Sequence, residues 1–584
     1  MVAENKRGRR RRRRWLIALG IVVIILAWGG LLAAKSISAY HHDQQGLDSL
    51  EQVKSNLTPD SVTTSSSVKL LDRAQAEFAS AQSDLSSPLF APITIVPVIG
   101  RQFRAVQDLS TSAGTVCRVG STFLSQVHDE LNQPHGAGPE RVASLRRLAA
   151  ISASAVTQLS TINTGPSQAL IGPLVSKHNE FVDQLANAQD RLVKAAGVSS
   201  AVATILQGPQ NYVVLAGNNA EMRAGYGTWL DVGTATTSDG SIQLGDLGPS
   251  GEKPLPQGAV PVPAQFQRNW GYLYPTLDMR NLGLTPQFDV TAPLAAQMWD
   301  KVTGQTMSGV IAIDIAGVQQ LLTVTGPVVV NGQTISANNV EQYLLHDQYV
   351  GLSDNPANSD EREDALGGLA GAVLQQLQGQ STDLNSLAKA VAGAVSGRHL
   401  LMWSKDPTAQ KAWEVSGVSG SLTYHSVGIS LINLDSNKLD PYVPIHVAVT
   451  TAPSGADTAV TMTAKLTNTT PDGQGQFIGG PYPGSPIPYG GYGGVIAANI
   501  PGAARHLSIT GTSQVAVSGV EGPTWVLGGN LVVLQGQSAT VVFHFTMPGK
   551  HGSMTVVPSA RIPAEQWTSG GKTFDDTAPT TVSW

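Results

Sequence analysis

The sequence predicts a multidomain chain: an N-terminal transmembrane helix, an α-helical bundle stalk, a central α/β domain and a C-terminal antiparallel β-sandwich. Three observations carry that prediction. A run of 20 uncharged, mostly aliphatic residues, Trp15 to Ala34, follows a basic tail. Beyond it, through residue 205, apolar residues recur at alternating steps of three and four, the spacing of packed helices. The pattern then changes to short apolar runs divided by helical stretches, and after residue 416 to strict alternation.

Residues 1–14 form the basic tail. Lys6, Arg7 and Arg9 to Arg14 place eight positive charges before the first apolar residue, while the whole chain carries a net charge of −5. The remainder is therefore acidic and offers no surface for nucleic acid. Residues 15–34, at about 1.5 Å per residue, are long enough to cross a bilayer core. The flanking positive charges predict a cytoplasmic N-terminus, with residues 36–584 outside a cell membrane that the chain crosses once. A cleaved signal peptide is the rival, since Leu32-Ala33-Ala34 supplies small residues. The apolar run is longer than the usual signal core, which favours a retained anchor. Apolar residues make up 41% of the chain, enough to build packed cores.

Residues 36–205 are expected to be a stalk of four or five antiparallel helices. Their seams include Leu71, Ala74, Phe78, Ala81 and Leu85, and Val106, Leu109, Ala113, Val116, Gly120 and Phe123. Many seam positions are Ala or Gly, so the helices should approach closely. The single cysteine, Cys117, fits this pattern as a small buried residue, and His178 as a partly buried seam residue. The same seams could pair between chains, which leaves the oligomeric state open.

Residues 206–415 are expected to form the central α/β domain, with strands at Tyr212–Leu215, Val310–Ile315 and Val328–Val330. Helices are expected at Ala292–Val302, Gly317–Leu322 and Asn339–Gln348, the last capped by Ser336. The stretch Gln210–Leu230 organises this part: a buried strand is expected to break into a turn of Gly217, Asn218 and Asn219 before Glu221, Arg223, Gly225 and Gly227. Residues 416–584 alternate as short strands, Ile445, Val447 and Val449 on one face and Val460, Met462 and Ala464 on another, which suggests an immunoglobulin-like sandwich. Tyr482, Tyr489 and Tyr492 punctuate a Gly/Pro-rich segment expected to be an exposed loop.

Catalytic signatures are missing. No serine sits in G-x-S-x-G, no H-E-x-x-H or paired-cysteine spacing occurs, and Gly571-Lys572-Thr573 has Gln566 in place of the first glycine of a P-loop. What remains is a polar set, Asn218, Asn219, Glu221, Arg223, Arg280 and Asp314. An arginine at a strand's carboxyl end can fork onto phosphate oxygens. It can equally pair with Glu221 while the asparagines close a turn.

The order of Asn218-Asn219-Ala220-Glu221-Met222-Arg223, Arg280-Asn281, Gly309-Val310-Ile311-Ala312-Ile313-Asp314, Thr325-Gly326-Pro327-Val328, Gly397-Arg398-His399-Leu400 and Asn437-Lys438-Leu439-Asp440 resembles the bacterial family labelled domain of unknown function 4012. Pro97-Val98-Ile99-Gly100-Arg101 belongs to the same resemblance. It implies a membrane-anchored envelope protein and no established activity. One departure stands out: Tyr226 occupies a position where the family pattern carries a glycine. A more distant likeness is to the LytR-CpsA-Psr family, which transfers glycopolymers from polyprenyl-pyrophosphate carriers. That likeness implies that Arg223 and Arg280 grip phosphate and that Asp314 or Asp231 holds magnesium. The expected function is thus an extracytoplasmic envelope protein binding wall polymer or a protein partner through Arg223, Arg280, Asn218 and Asn219; the alternative is a glycopolymer phosphotransferase acting on a polyprenyl-pyrophosphate-linked substrate.

Overall fold

The computed structural model describes residues 5–56, 65–133, 138–252, 254–330, 332–350, 365–379, 383–480 and 484–584; side chains are described from residue 27 onward, apart from residues 54–56, 65, 252, 379 and 384. The basic side chains of the tail, the breaker Pro134-His135-Gly136 and Tyr482 lie outside the described residues. The chain divides into two compact units, Met1–Gln133 with Arg146–Ser199 and Pro134–Leu145 with Ser200–Trp584.

The first unit is helical. Its helices are α1 (Asn5–Asn56), α2 (Ser65–Leu85), a short α3 (Ala91–Thr94), α4 (Pro97–Leu131), α5 (Pro139–Ser160) from Arg146 onward and α6 (Gly172–Gln207) as far as Ser199. The seam read from the sequence is the core: Leu71, Ala74 and Phe78 of α2 meet Ala113, Cys117 and Leu124 of α4 and Val53 of α1. Small residues set the spacing. A Cβ on Gly120 would lie 3.2 Å from Leu71, so α2 and α4 approach at a distance only glycine allows without adjustment. Burial pushes the Cys117 thiol up to about 12, which leaves it unreactive. His178 is buried with Nε2 3.0 Å from the Gly165 carbonyl. The expected membrane span, Trp15–Ala34, falls within α1, but its side chains before residue 27 lie outside the described residues. Among the described residues no helix is long and apolar enough to cross a membrane.

The second unit begins with β1 (Gln210–Arg223) and β2 (Tyr226–Ser238), an antiparallel pair. β3 (Ser241–Leu244), β4 (Gly248–Pro249), α7 (Ala264–Trp270), α8 (Phe288–Thr303), β5 (Gly309–Asp314) and α9 (Ile315–Thr325) follow. A hairpin of β6 (Val328–Val330) and β7 (Gln333–Ile335) leads to α10 (Val340–Leu345), α11 (Ala365–Gly379), α12 (Leu384–Ser396), β8 (Leu400–Ser404) and α13 (Pro407–Ser416). The central sheet has the order β3-β2-β1-β5-β8, with β4 on β2. Only β1 and β5 run parallel within it, joined through α8.

Both faces of this sheet are covered. Phe288, Ala292, Ala295 and Met298 of α8 pack on Val213, Leu215, Val310 and Ala312. Ile315, Val318 and Leu322 of α9, with Leu369 and Val373 of α11, belong to the core on the Ala216 face. Each large aliphatic or aromatic side chain buried this way contributes about 1.5–3 kcal/mol.

The β-rich part comprises β9 (Ser426–Asn433), β10 (Ile445–Ser454), β11 (Asp457–Thr467), a single-turn α14 (Gln476–Gly479), β12 (Tyr492–Pro501), β13 (Arg505–Thr510), β14 (Val515–Glu521), β15 (Thr524–Val533), β16 (Ser538–Met547), β17 (Ser553–Val556), β18 (Gln566–Ser569), β19 (Lys572–Asp575) and β20 (Thr580–Ser583). They form two six-stranded sheets, β13-β16-β11-β10-β18-β19 and β14-β15-β12-β9-β17-β20. Inward residues of both, such as Val447 and Met462 of one and Ile429 and Ile496 of the other, share one core. That same core includes Ala216, Ala220 and α9, so the central sheet and the β-rich part belong to a single unit.

Several local expectations change. No turn forms at Gly217-Asn218-Asn219; β1 continues as a bulged strand to Arg223, and the reversal falls at Ala224-Gly225. The reason is that Asn218 and Asn219 find their partners deep inside the unit, so the chain need not turn to satisfy them. Val328–Val330 stands outside the central sheet in its own hairpin. Asn339, not Ser336, precedes α10, and its side chain accepts from the Ser336 N–H at 2.7 Å. The β-rich sheets are not purely antiparallel, because β18 pairs with β10 and β17 with β9 in parallel. Gly571-Lys572 belongs to a two-residue hairpin in which Gly570 and Gly571 both have positive φ. Tyr492 is buried in β12 rather than exposed in a loop.

Candidate functional site

The far end of β1 is buried without a break from Tyr212 to Arg223. It emerges from the sheet into a layer of charged and amide side chains that joins β1 and β5 to β9, to the segment Asn437–Asp440 and to the segment after β17. Glu221 lies at its centre, accepting from Arg223 at 3.1 Å and paired with Lys438 on its other oxygen. Burial alone would raise the Glu221 carboxyl, but Lys438 and Arg223 outweigh it and hold the group at about 2. The Lys438 ammonium also lies over the rings of Tyr349 and Phe477, at 5.9 and 5.8 Å from their centroids.

Arg223 is filled by this layer. Its Nη1 donates to the carbonyls of Asn433, at 2.7 Å, and Met222, its Nη2 to Glu221, and its Nε to the carbonyl of Arg280 at 3.2 Å. Those bonds engage every guanidinium nitrogen, and the side chain is 9% exposed. The Arg280 side chain points elsewhere. It forks onto Asp278, with contacts of 2.5–3.1 Å, and is 47% exposed. The two arginines are thus neighbours through a backbone carbonyl, while their charged ends serve different partners.

Asn218 donates to the Tyr349 hydroxyl and accepts from the Ala220 N–H at 2.8 Å. Asn219 is tied at both ends: its amide donates to Asp314 and to the carbonyl of Ala560, each at 2.8 Å, and its oxygen accepts from the Ile315 N–H. Asp314 caps α9 through the Gly317 N–H and meets His399 Nδ1 at 2.8 Å. Burial would lower the imidazole, but the Asp314 carboxylate outweighs it and raises the His399 pKa above its ordinary 6.5. A second buried pair, Asp440 and Arg561 at 2.7 Å, adjoins the first, and Asp440 also accepts from the Met222 N–H, the Asn433 amide and the Tyr492 hydroxyl.

Asp314 and Asp231, the two alternatives expected for a metal ligand, are not brought together. Asp231 shares a sheet row with Ala216 and Ile313, whereas Asp314 shares the next row with Gly217. Successive rows face opposite sides of a sheet, so the two carboxylates diverge. Among the described residues, no group of three His, Cys, Asp or Glu side chains is placed to hold a metal ion. The donors of Asp314 are taken by a helix cap, an amide and an imidazole.

Chemically, this layer is a joint. Its charges are mutually paired and out of water, an arrangement that fixes register between two parts of a fold. The motif residues Lys438, Asp440 and His399 take part in it, although nothing local to them signals a role. Arg561 and Tyr349 could be found only from the fold, since their partners lie far away in sequence.

The reversal after Arg223 accounts for Tyr226. Gly225 takes the left-handed φ of +79°, so Tyr226 needs no special conformation. Its ring stacks on Trp229 at 4.8 Å, and its hydroxyl reaches the Thr285 carbonyl and the Thr291 hydroxyl at 2.8 and 3.0 Å.

An open concavity lies elsewhere in the unit. A cleft of about 840 Å³ runs between residues 242–247, around β3, and α11. Gln243, Asp246, Gln375 and Gln378 supply its polar groups, and Gly367, Gly368 and Gly371 leave the helix backbone open to it.

A family model described as "Protein of unknown function (DUF4012)" matches residues 207–349. That segment holds Asn218 to Arg223, Arg280, Asp314 and Tyr349, but not Lys438, Asp440 or Arg561. No curated protein and no solved structure matches the chain.

Proposed function

We propose that this chain, a member of the family of proteins of unknown function (DUF4012) through residues 207–349, is a single-pass, membrane-anchored envelope protein that binds a wall polymer. The anchor is the apolar run at residues 15–34 with eight cationic residues before it, which puts residues 36–584 outside the cell.

The observation that carries binding is the cleft beside α11. Its volume of about 840 Å³ suits an oligomeric ligand, and a cleft of some 300–1,000 Å³ is the usual size for a ligand site. Side-chain amides and one carboxylate offer donors and acceptors to sugar hydroxyls, while Leu244, Leu247 and Leu374 suit the apolar faces of the rings. The transferase alternative calls on Arg223 and Arg280 for phosphate, and both guanidinium groups are engaged by protein partners.

The test is binding of isolated wall polysaccharide to the purified full chain by calorimetry. Gly371→Trp fills the cleft, and Asp246→Ala with Gln375→Ala removes two polar contacts. Losing two hydrogen bonds at about 0.5–1.5 kcal/mol each weakens binding by about 5- to 150-fold, with an unchanged melting temperature. Unchanged affinity in both variants refutes the cleft. Copurification of polyprenyl phosphate that is lost in Arg223→Ala would favour transfer instead.

A further inference from the structure

Between Asp84 and Arg101 the chain runs for 16 residues, Leu85 to Gly100, without a charge. This stretch links the end of α2 to the start of α4, and it leaves large apolar side chains uncovered. Ile95 is 80% exposed, Val98 69% and Ile99 57%. Ile171 is exposed alongside, held there by Gln102, whose side chain bonds both the Ala169 carbonyl and the Ile171 N–H. An apolar cluster of this kind marks a contact surface.

Its position along α1 says what it contacts. Asp84 pairs with Lys35, just past the end of the apolar run. Five residues later, the Leu89 carbonyl accepts from the indole of Trp28 at 3.0 Å. Trp28 is seven residues before Lys35 on α1, so this segment descends about 10 Å along the helix. The return is equally fixed. Phe103 and Val106 of α4 pack at the level of Ala39, Ala81 and Leu85, which puts Pro97, Val98 and Ile99 lower down, beside the apolar run. Arg101 and Arg104 follow at once, and Arg104 donates to the Thr94 carbonyl at 3.1 Å.

We infer that the loop of residues 85–100 is a second membrane contact, dipping into the outer leaflet beside the anchor. Ile95, Val98 and Ile99 enter the acyl region, and Arg101 and Arg104 meet the lipid phosphates above them. This rests on the anchor reading, because only a membrane-embedded Trp28 carries Leu89 below the surface. The loop would orient the stalk relative to the bilayer, which a lone helix does not.

The test uses the full chain in vesicles of phosphatidylcholine and phosphatidylglycerol. The native thiol is removed by Cys117→Ala, and a polarity-sensitive fluorophore is attached to single cysteines from Ile95→Cys, Leu31→Cys or Leu47→Cys. Position 95 is expected to emit at shorter wavelength, to lose most emission to doxyl-labelled lipid and to resist iodide; position 47 is expected to do the reverse. Ile99→Cys repeats the measurement independently of the turn at residue 95. Quenching of 95 and 99 by iodide, with 31 still quenched by lipid, overturns the inference and leaves the anchor standing. Position 31 quenched by iodide overturns the anchor, and the inference with it. Protection of 95 from both quenchers, with self-quenching between labelled chains, shows a second copy covering the loop and also overturns it.

Discussion

Lys438→Met isolates the energetics of the joint. In the native protein Glu221 is shared by Lys438 and Arg223, all three buried. Removing the ammonium leaves the Glu221 carboxylate with one cationic partner, and one of its oxygens with no donor. Breaking a buried ion pair on one side costs about 3–5 kcal/mol. The second unit contains about 400 residues, whose unfolding entropy is on the order of 0.8 kcal/mol/K, so the loss lowers its melting temperature by about 4–6 °C. Glu221→Gln in the same background should restore part of this, because Arg223 keeps its three carbonyl acceptors. A coupling of about 0.5–3 kcal/mol between the two changes is expected. The wild-type Glu221 carboxyl is held at about 2, below its ordinary 4.5, so its contribution is present above pH 4.5 and lost as pH falls towards 2. In Lys438→Met that acid limb moves to higher pH. Calorimetry on the four chains, wild type, two singles and the double, measures all of this. Additive single effects would refute the shared-charge account.

Two further outcomes follow from the same unit. His399 has a raised pKa against Asp314, so its contribution is fully present below pH 6.5 and is lost as pH rises through the folded-state value. Wild-type melting temperature should fall across that window, and in His399→Asn this slope should vanish; an unchanged slope excludes His399 as its source. Gly225→Ala forces a side chain into a φ of +79° and brings a Cβ within 2.8 Å of Pro286 Cβ. It should cost more than the roughly 1–2 kcal/mol of the conformation alone, and more in urea unfolding than Gly304→Ala, whose φ is +71° in open space.

Legibility in the sequence followed the range of the interactions. Helix seams such as Leu71–Ala74–Phe78 repeat every turn, so the helical core was readable from local spacing. Strands β1, β5, β10 and β11 announced themselves by apolar runs or alternation. The direction of pairing did not, because the parallel contacts of β18 with β10 and β17 with β9 join segments remote in the chain. Asn218 and Asn219 read as turn formers because that is what asparagine does when its partners are local; here the partners are Tyr349, Asp314 and Ala560. Arg223 read either as a phosphate ligand or as a partner of Glu221, and the second is the pairing found. Charge type is visible in a sequence, but whether that charge is already neutralised depends on Glu221 and on a carbonyl of Asn433 supplied from 210 residues away. The cleft could not be foreseen, since α11 and the segment 242–247, more than 100 positions apart in the chain, meet only in the fold.

The bond between Asn219 and the Ala560 carbonyl spans 341 positions, and Arg561 closes on Asp440 across 121. Both closing groups come from the one segment between β17 and β18. A chain synthesised N-terminus first therefore holds Asn219 and Asp440 without these partners until residues 560 and 561 have been made. Pairings of such separation are slow to form and expose unpaired strand edges while they wait. The consequence is that maturation of the second unit is timed by delivery of the segment between β17 and β18. A chain stopped before Ala560 would not merely lack an edge: it would leave Asn219 and Asp440 each without the partner that seals the interior.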